Sequence, residues 1–132
     1  MYKRSFTEYI KTGLLAGLLI TSIAVVMFYI FGFVFGHDVT VIGQDRDTLY
    51  VVFITFATFM AVFIGNLLFY VLQKFTKRPI FFYAIVVLLG FCINTYTAEA
   101  DLALEYKLTA HLLHGIVAVL AFYLIPRFSR FK

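Results

Sequence analysis

Residues 12–36 read TGLLAGLLITSIAVVMFYIFGFVFG, a long run without a charged side chain. A helix of about 20 apolar residues crosses the roughly 30 Å hydrocarbon core of a bilayer. A cleaved signal peptide is the alternative, but its apolar part is only about 7 to 15 residues long, and no A-x-A-like cleavage site follows this run. The run therefore predicts a transmembrane helix.

Three further apolar runs follow, at residues 48–72, 79–97 and 108–126. The whole chain is 63% hydrophobic and 14% charged, whereas about a quarter of the residues in soluble domains are charged. In lipid each backbone N–H and C=O must be satisfied internally, so the runs should be helices. Short loops of about six to eleven residues make consecutive helices antiparallel neighbours. The sequence predicts one all-α domain over residues 1–132, a transmembrane antiparallel four-helix bundle.

The charged residues predict the orientation of this bundle, because Lys and Arg near span ends favour the cytoplasm. One side carries nine of the eleven basic residues and one acid, Glu8, which gives +8; the other carries two bases and six acids, which gives −4. The nine bases are Lys3, Arg4, Lys11, Lys74, Lys77, Arg78, Arg127, Arg130 and Lys132. Both termini are therefore predicted to be cytoplasmic.

Composition also excludes some classes of function. The net charge of +4 lies in short clusters between apolar runs rather than on one solvated surface, which argues against a nucleic-acid partner. The lone Cys92 cannot form a C-x-x-C redox or zinc pair. The partners that we expect are membrane lipids and other membrane proteins, including further copies of this chain.

Small residues predict which helix faces pack, because apolar side chains gain little by leaving lipid for another helix. The first span contains two G-x-x-x-G spacings, Gly13 with Gly17 and Gly32 with Gly36. The second span has a small residue at every fourth position, namely Ala57, Ala61 and Gly65. Packing within the chain is the first interpretation of these patterns, and a dimer surface is the second.

His111 and His114 are the main candidates for chemistry, because residues three apart share one helix face. Together with nearby outer polar residues they could hold a divalent metal or relay protons. These further candidates for polar packing or ligand contacts are Asn94, His37, Asp101 and Glu105. The simpler interpretation is a hydrogen-bonded His pair that sets the register of the last two helices, with a His111–Asn94 bond as the first to test. Haem is disfavoured, since no second span holds a buried His.

Asn66, within the second span, is expected to form a hydrogen bond with a polar partner and so to hold two helices together. The spans contain no charged residue at the midplane, which disfavours a transporter. A nucleophile elbow, a phosphate loop and an H-E-x-x-H motif are absent as well, which disfavours an enzyme.

Two segments carry a family resemblance: Gly13-Leu-Leu-Ala-Gly17 at the start of the first span, and His111-Leu-Leu-His114-Gly115-Ile-Val-Ala118 in the last. With four spans over most of the chain, the sequence resembles small bacterial four-helix membrane proteins that form a domain of unknown function. The resemblance implies a multi-pass fold in a bacterial inner membrane and no reaction.

Three classes of function stay open. The first is a non-enzymatic accessory or scaffold subunit of a membrane complex or homo-oligomer. The second is a metal- or small-ligand-binding or transport protein with an outer His site. The third is a small membrane enzyme or redox component.

Overall fold

The computed structural model describes residues 4–43 and 45–130, which form four long helices. They are α1 (Phe6–Phe35), α2 (Val51–Phe75), α3 (Pro79–Asp101) and α4 (Leu104–Phe128). Each helix is long and apolar enough to cross a membrane. The predicted all-α four-helix bundle is thereby confirmed. Lys3 and Lys132, two of the basic residues counted above, lie outside the described residues.

The helices extend past the apolar spans because polar residues cap or continue them. α1 begins at Phe6 because Ser5 and Glu8 form a capping box, in which the Ser5 N–H donates to the Glu8 carboxylate over 2.8 Å. α3 continues to Asp101 and α4 begins at Leu104. The connection between them is therefore residues 102–103, much shorter than the predicted third loop.

The packing order leaves α3 at the edge of the bundle. α1 packs against α2 and α4, while α3 packs against α4 and less closely against α2. Among the described residues no contact joins α1 to α3. Of the residues of α3, only Tyr83 and Ala98 are buried. Most of the surface of α3 is therefore not covered by the other three helices.

Glycine brings α1 and α2 together. A Cβ atom at Gly13 would lie 2.7 Å from the side-chain nitrogen of Asn66, and one at Gly17 would lie 2.8 Å from the Phe59 ring. Real Cβ contacts are not that short. The first G-x-x-x-G spacing thus serves packing within the chain, as its first interpretation predicted.

The connection between α1 and α2, described at residues 36–43 and 45–50, folds back over one end of the bundle. Gly36 ends α1 with a φ of 76°, a left-handed conformation that suits glycine. The Val51 N–H then donates to the Thr40 carbonyl over 3.0 Å, and the Ala103 N–H donates to the Asp47 carbonyl over 3.0 Å. We call this end, formed by residues 36–43, 45–50 and 102–103, the acidic face. The opposite end, with residues 4–5, 76–78 and 129–130, is the basic face.

Candidate functional site

The polar residues near the acidic face occupy three separate places, and the first is around His37. Its Nε2 lies 2.7 Å from the Thr109 hydroxyl, and its Nδ1 lies 3.0 Å from the Asp38 carbonyl oxygen. Because a carbonyl oxygen only accepts, Nδ1 carries the proton, and in a neutral ring Nε2 accepts from Thr109. The ring is buried against Phe28 and Tyr106. His37 thus fixes the start of the connection between α1 and α2 to α4, and its partners Asp38 and Thr109 differ from the partner of His111.

The second place is a surface cluster around Glu99. His111 Nε2 lies 2.9 Å from one carboxylate oxygen of Glu99, and Lys107 Nζ lies 3.2 Å from the other. The expected hydrogen bond between His111 and Asn94 is therefore wrong. His111 Nε2 contacts Glu99, and His111 Nδ1 is buried without a hydrogen-bond partner among the described residues. Asn94 Nδ2 donates to the Gly90 carbonyl within its own helix. His111 still joins α4 to α3, through Glu99 instead.

The third place lies between α2, α3 and α4 and contains His114 and Asn94. The Nδ1 atom of His114 is buried and has no hydrogen-bond partner among residues 4–43 and 45–130. Asn94 uses one amide hydrogen on Gly90, which leaves its second N–H and its side-chain oxygen available. Both residues therefore have unused hydrogen-bonding capacity.

Two cavities meet at Asn94 and His114. The first, which we call the groove, has a volume of about 320 Å³ and runs between α2, α3 and α4. Its walls are mostly apolar or small, including Ala57, Ala61, Gly65, Gly90 and Ala118. The second, which we call the vestibule, has a volume of about 460 Å³ and lies at the acidic face beside Asp45, Arg46 and Asp101. Ligand pockets in proteins typically measure about 300 to 1,000 Å³.

The chemistry of this paired cavity changes with depth. The lining of the vestibule includes three charged residues among mostly uncharged ones. Asn94 and His114 line both cavities, and mostly apolar walls continue along the groove to Tyr83. The groove also meets the exposed surface of α2, because its lining residues Ile64 and Leu68 are 48% and 41% exposed. This arrangement can hold a molecule that has a polar end and an apolar end.

Among the described residues, the predicted metal site at His111 and His114 gains no third ligand. Within the described part of the chain, no group of three or more His, Cys, Asp or Glu side chains is placed to hold a metal ion. His111 is engaged by Glu99, while His114 faces the cavities. Metal binding by His111 and His114 stays a prediction.

The remaining predicted residues divide between the cavities and other places. Asp101 lines the vestibule. Glu105 is exposed in the first turn of α4 and lines neither cavity. Asn66 is fully buried at the contact of α1 with α2, where its amide donates to the Tyr9 carbonyl over 2.7 Å. Asn66 is thus the structural contact that its sequence position indicated.

Sequence reasoning missed Arg46 and Thr109. Arg46 is one of only two basic residues on the acidic side, and that scarcity was the available signal. Nothing in the sequence indicated the role of Thr109, because that role depends on how His37 folds back onto α4.

Comparison with known proteins gives a family and no activity. No curated protein and no solved structure matches the chain. One family model, described as a family of unknown function (DUF6069), matches residues 5–131. Since this match covers nearly the whole chain, the protein belongs to the DUF6069 family.

Proposed function

We propose that this protein is a non-enzymatic membrane protein that binds one lipid-like amphiphile. The polar head of the ligand would occupy the vestibule, and its apolar chain would occupy the groove. The observation that carries the proposal is the meeting of the two cavities at Asn94 and His114. Buried polar atoms favour a hydrogen-bond partner, which a ligand at this junction would supply.

The length of the groove fits a lipid chain. Asn94 and Tyr83 are eleven positions apart on α3, or about 16 Å at 1.5 Å per residue. Half of a typical hydrocarbon core is about 15 Å thick. The middle of the predicted span 79–97 lies at Leu88, so a chain that runs from Asn94 to Tyr83 would reach the middle of the bilayer after about 9 Å and extend about 8 Å beyond it.

The small residues of α2 support the same proposal. Ala57, Ala61 and Gly65 line the groove, and Ala61 is exposed. Side chains this short leave space where a Leu or Phe would fill it. Their regular spacing therefore creates a binding volume between α2 and α3.

A second candidate function is a subunit of a homo-oligomer or of a larger membrane complex. The exposed surface of α3 favours it, since Leu88, Leu89 and Ile93 are 61%, 57% and 65% exposed. If a helix of another subunit packs on this surface, the role of the protein is structural. The number of subunits, counted by native mass spectrometry, would separate this candidate from lipid binding by a monomer.

For orientation we propose that the basic face is cytoplasmic and that the membrane is a bacterial inner membrane. The basic residues around the termini and residues 76–78 support this by the positive-inside tendency. The ligand would then come from the outer leaflet.

A photoactivatable phospholipid with a diazirine in its acyl chain tests the proposal in reconstituted vesicles. We expect the crosslinked residues to be concentrated at the groove, around Ala61, Gly90 and Ala118. The lipid-facing side of α1, around Leu15 and Leu18, serves as the comparison because both are exposed and line neither cavity. Equal labelling of both regions would contradict a specific site.

A further inference from the structure

We infer that the vestibule selects a lipid headgroup that carries a primary ammonium beside a phosphate, as in phosphatidylethanolamine. The inference rests on the proposed function, because it assigns the head of the same ligand. It is drawn from the charges around the vestibule and from the hydrogen-bonding groups beneath them.

The lining of the vestibule includes charged residues of both signs that form no ion pair with the described part of the chain. Asp45, Arg46 and Asp101 all line it. In residues 4–43 and 45–130, none of these three side chains forms an ion pair; the ion pairs found are those of Glu99 with Lys107 and His111. Two carboxylates and one guanidinium are therefore available to a ligand.

These groups match a zwitterion with an amine. A primary ammonium has three N–H donors for carboxylates, and a guanidinium can bind a phosphate through two parallel hydrogen bonds. A choline headgroup has the positive charge but no N–H donor. A glycerol headgroup has no positive charge to pair with Asp45 and Asp101.

The net charge of the predicted outer side of the protein also favours a zwitterionic headgroup. This side carries six acids and two bases, a net charge of −4. Such a field repels a headgroup with net negative charge, most strongly at low ionic strength. Anionic lipids should therefore bind more weakly than zwitterionic ones.

The junction beneath the vestibule suits the ester groups of a glycerolipid. Asn94 lies seven helical residues below Asp101 on α3, or about 10 Å along the axis. Its free N–H can donate to an ester carbonyl oxygen, and so can the imidazole N–H of His114. The headgroup, ester and chain regions of one lipid then coincide with the three zones of the cavity.

Native mass spectrometry of the full chain in detergent micelles tests this inference. The probes are phosphatidylethanolamine, phosphatidylcholine and phosphatidylglycerol with identical acyl chains, offered as an equal mixture. We expect about fivefold more bound ethanolamine lipid than choline lipid, because only the ammonium can donate charge-assisted hydrogen bonds. The glycerol lipid should bind least.

Variants of the charged residues that line the vestibule show which of them cause the preference for ethanolamine over choline. Asp101→Asn and Asp45→Asn should each reduce the preference for ethanolamine over choline to about twofold or less, because each removes one carboxylate. Arg46→Gln should weaken both zwitterionic lipids about equally. Asp38→Asn is the matched control, since Asp38 is an exposed acid near the same end of the bundle that lines neither cavity. It should leave the preference unchanged.

The outcomes separate the two proposals. Similar binding of all three lipids, lost when a bulky residue fills the groove, would overturn the headgroup assignment and keep the lipid site. A preference that Asp38→Asn reduces as much as Asp101→Asn would also overturn it, in favour of a general surface field. Lipid binding that a filled groove does not change would overturn the proposed function itself.

Discussion

The side-chain amide of Asn66, fully buried on α2, donates a 2.7 Å hydrogen bond to the backbone carbonyl of Tyr9 on α1. This bond depends on Gly13, where a Cβ atom would lie 2.7 Å from the Asn66 nitrogen. Polar contacts between helices in membranes contribute about 0.6 to 2 kcal/mol. The pair thus fixes α1 to α2, and none of the residues that line the groove between α2, α3 and α4 belongs to α1.

Gly13→Ala should reduce the free energy of unfolding in mixed micelles by about 1 to 2 kcal/mol, because it pushes Asn66 away from the Tyr9 carbonyl. Gly90→Ala is the matched control, since a Cβ atom at Gly90 meets nothing within 4 Å. Both changes alter intrinsic helix propensity alike, so the difference between them isolates the contact. Equal stabilities of the two variants would contradict the role of Gly13.

Thr109→Val tests the attachment of residues 36–50. It removes the hydroxyl that lies 2.7 Å from His37 Nε2, and a buried polar atom left without a partner costs about 1 to 3 kcal/mol. We expect faster hydrogen exchange in residues 36–50 and lower stability. Thr55→Val is the control, because exposed Thr55 donates only to the Val51 carbonyl of its own helix. If the two variants exchange alike, His37 does not hold this connection.

Glu99→Gln should leave the folded bundle and its lipid binding unchanged. The Glu99 carboxylate is exposed in its contacts with His111 and Lys107, and exposed ion pairs contribute little. Thermal unfolding and bound lipid, measured together, check this. Glu99, Lys107 and His111 line neither cavity, and a loss of bound lipid would show that this cluster nevertheless belongs to the site.

The helices could be predicted from the sequence because lipid imposes a simple rule on length and polarity. Their ends could not, since the capping box of Ser5 and Glu8 and the continuation of α3 to Asp101 lie outside the apolar spans. Glycine at position 13 was correctly assigned to packing, because an apolar environment rewards only close approach.

The candidate site was harder to predict. His114, Asn94 and Asp101 were identified as polar residues near one end, but their common feature is a space between helices. A space depends on how far α3 stands from α2, and hydrophobic patterning does not specify that distance. His111 was assigned the wrong partner because Glu99 lies on an unpredicted extra turn of α3.

Orientation can be measured with single cysteines in a Cys92→Ser background. A membrane-impermeant maleimide added to intact cells or spheroplasts should label Asp45→Cys and Asp101→Cys, and should label Arg130→Cys only after the membrane is opened. The physical reason is the excess of basic residues around the termini. The reverse pattern would place the vestibule on the cytoplasmic side.

The most direct test of lipid binding fills the groove. Gly90→Leu adds a side chain where the groove is open, while Leu88→Phe adds volume to the exposed surface of α3 and serves as the control. Native mass spectrometry of each protein, released gently from its own membrane, counts bound lipids and subunits. We expect one tightly bound lipid on the wild type and on Leu88→Phe, and at least about a fivefold loss in Gly90→Leu, which corresponds to roughly 1 kcal/mol of binding free energy. Equal lipid occupancy in all three proteins, or an oligomer without bound lipid, would contradict the account.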